Sequence, residues 1–299
     1  MRSYMLRYYT TAMKNMLRRH QLLVEKRFPT YEAEFRFSES EQTGWFKVFD
    51  VTEKEQATPF TYYTTSGTMM LMRIVEDVGV NFRHLMHLKS DITFHPGGRI
   101  LEPDKTYTLK ATLDDIVQLR DDRVTLITRA WIHDENDERL LINRDFFIIL
   151  NLAPKYIEEL RSTPGFGRHD VSEFENLSKL QAMLTCQDVQ RIPIKVPEDM
   201  GKRYGKVSGD MNLVHTTRIA ARIFGFPKPF IQGLCTANYV LKHLTGVCQE
   251  PVLSLTATFT RRVYVGQTVY LSFDDQRFEL CDKKGALLVL GEWETGLPE

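Results

Sequence analysis

YGKVSGDMNLVHTTRIAARIFGFPKPFIQG, residues 204–233, governs how the rest of the chain is read. Within it Asp210 and His215 stand five residues apart behind Ser208-Gly209, and Gly233 closes the stretch where an apolar helical pattern begins. An acid and an imidazole on one short segment can position and activate a water, because an imidazole of ordinary pKa, about 6.5, is largely neutral at pH 7 and can take a proton. A glycine at a helix start has no Cβ, so a carbonyl can approach its N–H where the helix dipole favours developing negative charge. Each residue alone also has an ordinary use, Asp as a cap and His as a structural hydrogen-bonder at a helix start. Asn212 reads as a brace bonded to its own loop backbone. Ser208 and Tyr204 read as support for Asp210 or lining of the mouth, with Tyr204 expected on a strand. After His215, Ile219, Ala220, Ile223 and Phe224 are expected to form one apolar helix face that ends at Gly225.

Outward from this stretch, the two halves of the chain show one order of elements twice. In the first half Ser66-Gly67 opens the helical stretch TMMLMRIVEDVG, strands follow from Thr93-Phe94, a turn at Glu102-Pro103-Asp104 leads into YTLKATL, and TLITRAWI carries Trp131. In the second, Gly233 opens LCTANYVLKHLTG, Thr258-Phe259 sits in LTATFTRRVYV, Gly266-Gln267 turns into TVYLSF, and LLVLGEW ends at Trp293. Gly to Phe spans 27 residues in one half and 26 in the other, and Phe to Trp 37 and 34. Residues 1–153 are therefore expected to form one unit, 154–170 with its Pro164-Gly165-Phe166-Gly167 a connection, and 171–299 a second unit. Ahead of its helix the first unit reads SESEQTGWFKVFDVTEKEQATPF, with acids but no His, so it is expected to lack an active site of its own.

Ser208-Gly209-Asp210-Met211-Asn212-Leu213-Val214-His215, then Ala220-Ala221, Gly225-Phe226 and Pro229-Phe230-Ile231-Gln232-Gly233, closely resemble the motif of MaoC-like (R)-specific enoyl-CoA hydratases and 3-hydroxyacyl dehydratases. Leu213 stands where that motif has Pro, and Gln232 where it has His. The resemblance implies an α+β double hotdog, two helix-wrapped antiparallel sheets joined in one chain, either as a monomer or as a homodimer. It also implies a hydro-lyase that interconverts trans-2-enoyl and (R)-3-hydroxyacyl thioesters of coenzyme A or an acyl-carrier protein, without a cofactor. Asp210 and His215 would be its acid–base pair and Gly233 N–H its oxyanion hole. The first unit would wall the acyl pocket, with Met69, Met70 and Met72 able to line it. A hotdog thioesterase and a catalytically silent acyl-binding protein are the alternatives.

Composition sets the outer bounds. The 299 residues, 42% hydrophobic, can bury a large core, and 39 basic residues against 39 acidic ones give no global pull toward nucleic acid or an anionic membrane. No apolar run suffices to span a bilayer. Cys186, Cys235, Cys248 and Cys281 lack CxxC spacing, which fits a reducing compartment, and cytoplasm is the expectation. Arg2, Arg7, Lys14, Arg18 and Arg19 precede the first acid, Glu25, and are expected on an ordinary helix across the body rather than a targeting segment. His84-x-x-His87 has no acid or Cys at a matching offset, so no metal site is expected and both histidines should be solvated. GxSxG, GxxxxGK[ST] and GxGxxG are absent.

Overall fold

The computed structural model describes residues 29–80, 85–95, 101–120, 123–150, 152–161, 190–248 and 250–296. The leading basic segment, His84, Gly165-Phe166-Gly167 and Cys186 lie outside the described residues. The first half runs β1 (Tyr31–Phe35), α1 (Glu39–Phe49), a short 3-10 turn (Glu53–Glu55), α2 (Thr64–Val78), β2 (Leu85–Phe94), β3 (Tyr107–Arg120), β4 (Arg123–His133), β5 (Arg139–Ile149) and α3 (Pro154–Arg161). The second runs β6 (Gln190–Lys195), α4 (Met200–Ser208), α5 (Leu213–Thr216), α6 (Arg218–Ile223), α7 (Gly233–Val247), β7 (Val252–Phe259), β8 (Thr268–Phe273), β9 (Arg277–Asp282) and β10 (Leu287–Thr295).

The ten strands among the described residues join one sheet in the order β1-β3-β4-β5-β2-β7-β10-β9-β8-β6. Each half thus contributes five strands with the same internal order, and the two sets meet at an antiparallel seam from Lys89 opposite Thr258 to Thr93 opposite Ser254. This is the double hotdog that the resemblance implies, built from the two units that the repeat predicts. The outermost strands are β1 and β6, and β6 carries Pro193, a residue that an edge tolerates because it has no N–H to donate.

The repeat is real, but two of its expected markers are not equivalent positions. Helix α2 begins at Thr64, so Gly67 sits inside it, whereas Gly233 is the first residue of α7. Trp131 lies on β4 and Trp293 on β10, and topology makes β10 the counterpart of β5. The similar Phe-to-Trp intervals are coincidental, since one strand, β3, lies between the two markers in the first half and two strands, β8 and β9, lie between them in the second. Part of the expected connection is also regular, as α3.

The two long helices are buried differently. Helix α2 buries Met70, Ile74, Val75 and Val78 on one side and stops at Gly79, which takes the left-handed conformation (φ 76°). Helix α7 is buried continuously from Cys235 to Lys242, so it is enclosed rather than laid on a surface. Its polar side chains are matched by residues of the first half. Asn238 Nδ2 donates to Thr61 Oγ1 at 2.9 Å while its Oδ1 accepts from Thr61 N at 3.3 Å, and Lys242 Nζ lies 3.5 Å from Glu55 Oε2. Burial, reinforced by the Lys242 charge, lowers the pKa of the neighbouring His243 from 6.5 to about 4, with Glu55 opposing.

Between those values the unfolded chain binds a proton at this position that the folded chain does not. Stability should therefore fall as pH drops from about 6.5 toward 4. His243→Asn should flatten that slope in urea unfolding at a series of pH values, and an unchanged slope would show that His243 is not the group responsible.

Candidate functional site

The segment carrying Asp210 and His215 is seated on α4 by two glycines one helical turn apart. A Cβ on Gly201 would lie 2.1 Å from the His215 carbonyl oxygen, and one on Gly205 2.7 Å from that of Asp210. Only a bare backbone lets the loop rest this close. Beside the glycines α4 carries Tyr204, which is in a helix and not the expected strand, fully buried and edge-on to Trp45 (5.6 Å) and Phe49 (6.1 Å) of α1. The same aromatic contact fixes α4 against the first half of the chain.

Ser208 ends α4, and Gly209 at φ 77° turns the chain sharply. Ser208 Oγ, buried, accepts from Asp210 N at 3.2 Å, and Asp210 Oδ1 accepts from Asn212 N at 3.2 Å. Asn212 caps α5, its Oδ1 accepting from Val214 N at 3.3 Å. Leu213 is the first residue of α5, a position whose N–H has no intrahelical partner, so Leu and Pro are interchangeable there without loss of a ladder bond. Gln232 Nε2 donates to Asp210 O at 2.9 Å and Gly201 O at 3.3 Å, tying the segment to the entry of α7. Both acceptors are carbonyls, which leaves Gln232 Oε1 as a buried acceptor with no partner among the described residues.

His215 Nδ1 lies 2.8 Å from the Phe230 carbonyl. A carbonyl can only accept, so Nδ1 carries the proton and the neutral ring presents its lone pair at Nε2. Burial lowers the His215 pKa, opposed by the negative charge of Asp210 and by the Phe230 bond. The net effect keeps the ring neutral at pH 7, as a base must be. Cys235, buried one turn into α7, has its thiol pKa raised by burial and by Asp210, so it is an inert thiol.

Two expectations fail in this region. Ile219 and Ile223 are 76% and 73% exposed, while Ala220 and Ala221 face the interior. The expected single helix is broken at Thr217 (φ −135°, ψ 138°), which caps α6 through its side chain, and the break rotates the isoleucines outward. His87 is not solvated either. Its side chain is 17% exposed, stacked on Phe147 and packed against Phe259 at 4.8 and 4.9 Å between ring centres, with Nε2 3.0 Å from Asp145 Oδ1. Among the described residues no cluster of three His, Cys, Asp or Glu could hold a metal ion.

Gly233 begins α7, where the first N–H groups have no intrahelical acceptor. A Cβ there would lie 2.6 Å from His87 Nδ1 and 3.1 Å from the Phe259 ring. The glycine is therefore required by packing. Sequence spacing could not reveal His87, because its neighbour Gly233 is 146 residues away and comes from the other half.

Residues 182–287 match the family model described as MaoC like domain. Among curated proteins, the 3-hydroxyacyl-thioester dehydratase Y of Mycobacterium tuberculosis is 34% identical over 84 residues, 26% of this chain and 29% of that one. The peroxisomal enoyl-CoA hydratase 2 of Arabidopsis thaliana is 34% identical over 119 residues, 37% of this chain and 38% of that one. The matched stretches thus span well under half of these relatives. Solved structures align over nearly the whole chain: a MaoC-like dehydratase of Phytophthora capsici (TM-score 0.66, 16% identity, 91% of this chain and 97% of that one) and HtdX of Mycobacterium tuberculosis (TM-score 0.64, 16% identity, 90% and 100%). At such identity they speak for the fold. The chain is a double hotdog whose residues 182–287 are similar to the MaoC like domain.

Proposed function

We propose that the chain is a hydro-lyase interconverting trans-2-enoyl thioesters and (R)-3-hydroxyacyl thioesters. The observation that carries this is His215, whose Nδ1–H is fixed on the Phe230 carbonyl and whose ring is kept neutral beside Asp210, on a segment clamped to the start of α7. Asp210 and His215 hold a water between them and exchange its protons with the substrate, while the Gly233 N–H meets the thioester oxygen as it gains charge. Gln232 Oε1 offers that water a further acceptor. Ser208 and Asn212 hold Asp210 through backbone bonds, and Tyr204 anchors the helix beneath.

The substrate is carried by coenzyme A or an acyl-carrier protein, in a reducing compartment such as the cytoplasm. No helix among the described residues is long and apolar enough to cross a membrane, and Cys235, Cys248 and Cys281 are free. The proposal keeps the division into a unit ending near residue 153 and a catalytic unit from about 171, working as a monomer or a homodimer. Met70 and Met72 of α2 are buried and Met69 is partly so, and they are proposed to line the acyl tail's path.

Crotonyl-CoA hydration, followed by loss of the conjugated enone absorbance, tests the reaction. Asp210→Asn and His215→Ala should each lower it roughly a hundredfold to ten-thousandfold in folded protein, and the double variant should be little worse than either single one. Release of thiol in place of hydration would make the chain a thioesterase, and near-normal turnover in either single variant would remove the pair from the mechanism. Because His215 must be neutral to act as base and its pKa is lowered, turnover should hold down to below pH 6.5 and fall only at lower pH. A fall already centred at or above pH 6.5 would contradict that assignment. Met72→Trp should shorten the preferred acyl chain while sparing a four-carbon substrate, and equal loss on both would place the tail elsewhere.

A further inference from the structure

The first half carries a polar cluster that the proposed reaction does not use. His87 Nε2 lies 3.0 Å from both Asp145 Oδ1 and Ser90 Oγ, Ser90 Oγ donates to Asp145 Oδ1 at 2.5 Å, and Asn143 Nδ2 donates to Asp145 Oδ2 at 2.7 Å. In a regular strand His87 and Ser90, three residues apart, would point to opposite faces. The register between β2 and β5 shifts at Leu88, with His87 opposite Phe147 and Lys89 opposite Phe146. That bulge turns His87 to the face of Ser90 and sends Leu88 to the small cluster with Val117, Ile127, Phe146 and Ile148. Ser90 and Asp145 are direct cross-strand partners on that face.

With Nε2 committed to Asp145 and Ser90, Nδ1 is the ring atom left to meet something else. It is held against the Cα of Gly233 by the two phenylalanine rings, one from each half. The Tyr63 hydroxyl, fully buried and without a partner among the described residues, has its pKa raised by burial and by the charge of Asp145, which places it in electrostatic reach of this cluster. The bulge, the rings and the carboxylate together hold one nitrogen at the mouth of α7.

We propose that His87 is a second ligand-contacting histidine, supplied by the half without an Asp-His segment, whose Nδ1–H donates to the thioester carbonyl beside the Gly233 N–H. The inference rests on the placement of the thioester at Gly233 but not on the reaction that follows. With Nε2–H given to Asp145, a ring protonated at Nδ1 as well would be paired with that carboxylate and would offer a charge-assisted donor where oxygen gains negative charge. No proton need leave it. The carbonyl bond order falls and recovers while both donors stay in place.

The carbonyl stretch of bound butyryl-CoA, saturated and so not hydrated, reads this contact directly when the carbonyl is labelled with 13C and followed by difference infrared spectroscopy. In the wild type the band should move to lower frequency on binding. His87→Phe, which keeps a ring between Phe147 and Phe259 but deletes both nitrogens, should lose most of that displacement, and His87→Asn, which returns an amide N–H near the Nδ1 position, should keep part of it. Identical bands in wild type and His87→Phe, or no displacement in the wild type, would overturn the proposal. On crotonyl-CoA, His87→Phe should lower kcat by roughly a hundredfold with KM little changed, the pattern for a donor used in the transition state. If Asp210→Asn leaves hydration unaltered, the proposed reaction fails while the infrared comparison still decides the role of His87.

Discussion

The antiparallel pairing of β2 with β7 is the constraint on which the rest depends. A half-sheet of five strands has a face to bury and an edge to cover, and one long helix does not cover enough of it alone. Joining the halves edge to edge removes both inner edges and lets the aromatic and polar groups of one half close the helix of the other. The consequence is that α7, enclosed all round, must bury Asn238 and Lys242. Thr61 and Glu55 of the first half satisfy them, so the halves are held by specific polar pairs as well as by apolar burial.

The same seam makes a symmetric fold chemically asymmetric. Both halves place a helix before the long one, α1 and α4, and these pack on each other through Trp45, Phe49 and Tyr204. Only α4 has the paired glycines that let a loop lie flat on it, and only that loop holds an Asp and a His. The first half instead has α1 ended by Asp50 in the left-handed conformation (φ 50°) and a capped 3-10 turn whose Glu55 is committed to Lys242. Asp50 and Glu55 thus serve structure, and no histidine stands on that segment.

Much of this is legible in the sequence because it is local. Asp210, Asn212, His215 and Gly233 are close along the chain, and the helix-then-strands order is a property of short segments. The errors share one physical origin. Gly67 and Trp131 match their counterparts in residue type and spacing, although equivalence in a sheet is set by pairing, which spacing does not report. Ile219 and Ile223 keep helical period across Thr217, where an extended residue resets the phase. Gly201 and Gly205 are ordinary glycines in the sequence, and only the carbonyls above them explain their presence. His87 needs both a bulge and a partner from the other half to become visible.

The two departures from the family motif are absorbed by this geometry in different ways. Leu213 occupies a helix start where proline's missing N–H is no loss, so the exchange changes surface and little else. Gln232 does more, because its amide is long enough to bridge the carbonyls of Gly201 and Asp210 at once. A histidine has one N–H per ring nitrogen and cannot donate to two carbonyls from a single atom in this way. The carboxamide thereby ties three separate pieces, α4, the Asp210 turn and the start of α7, at one buried point. That tie holds the turn carrying Asp210 against the helix that Gly233 begins.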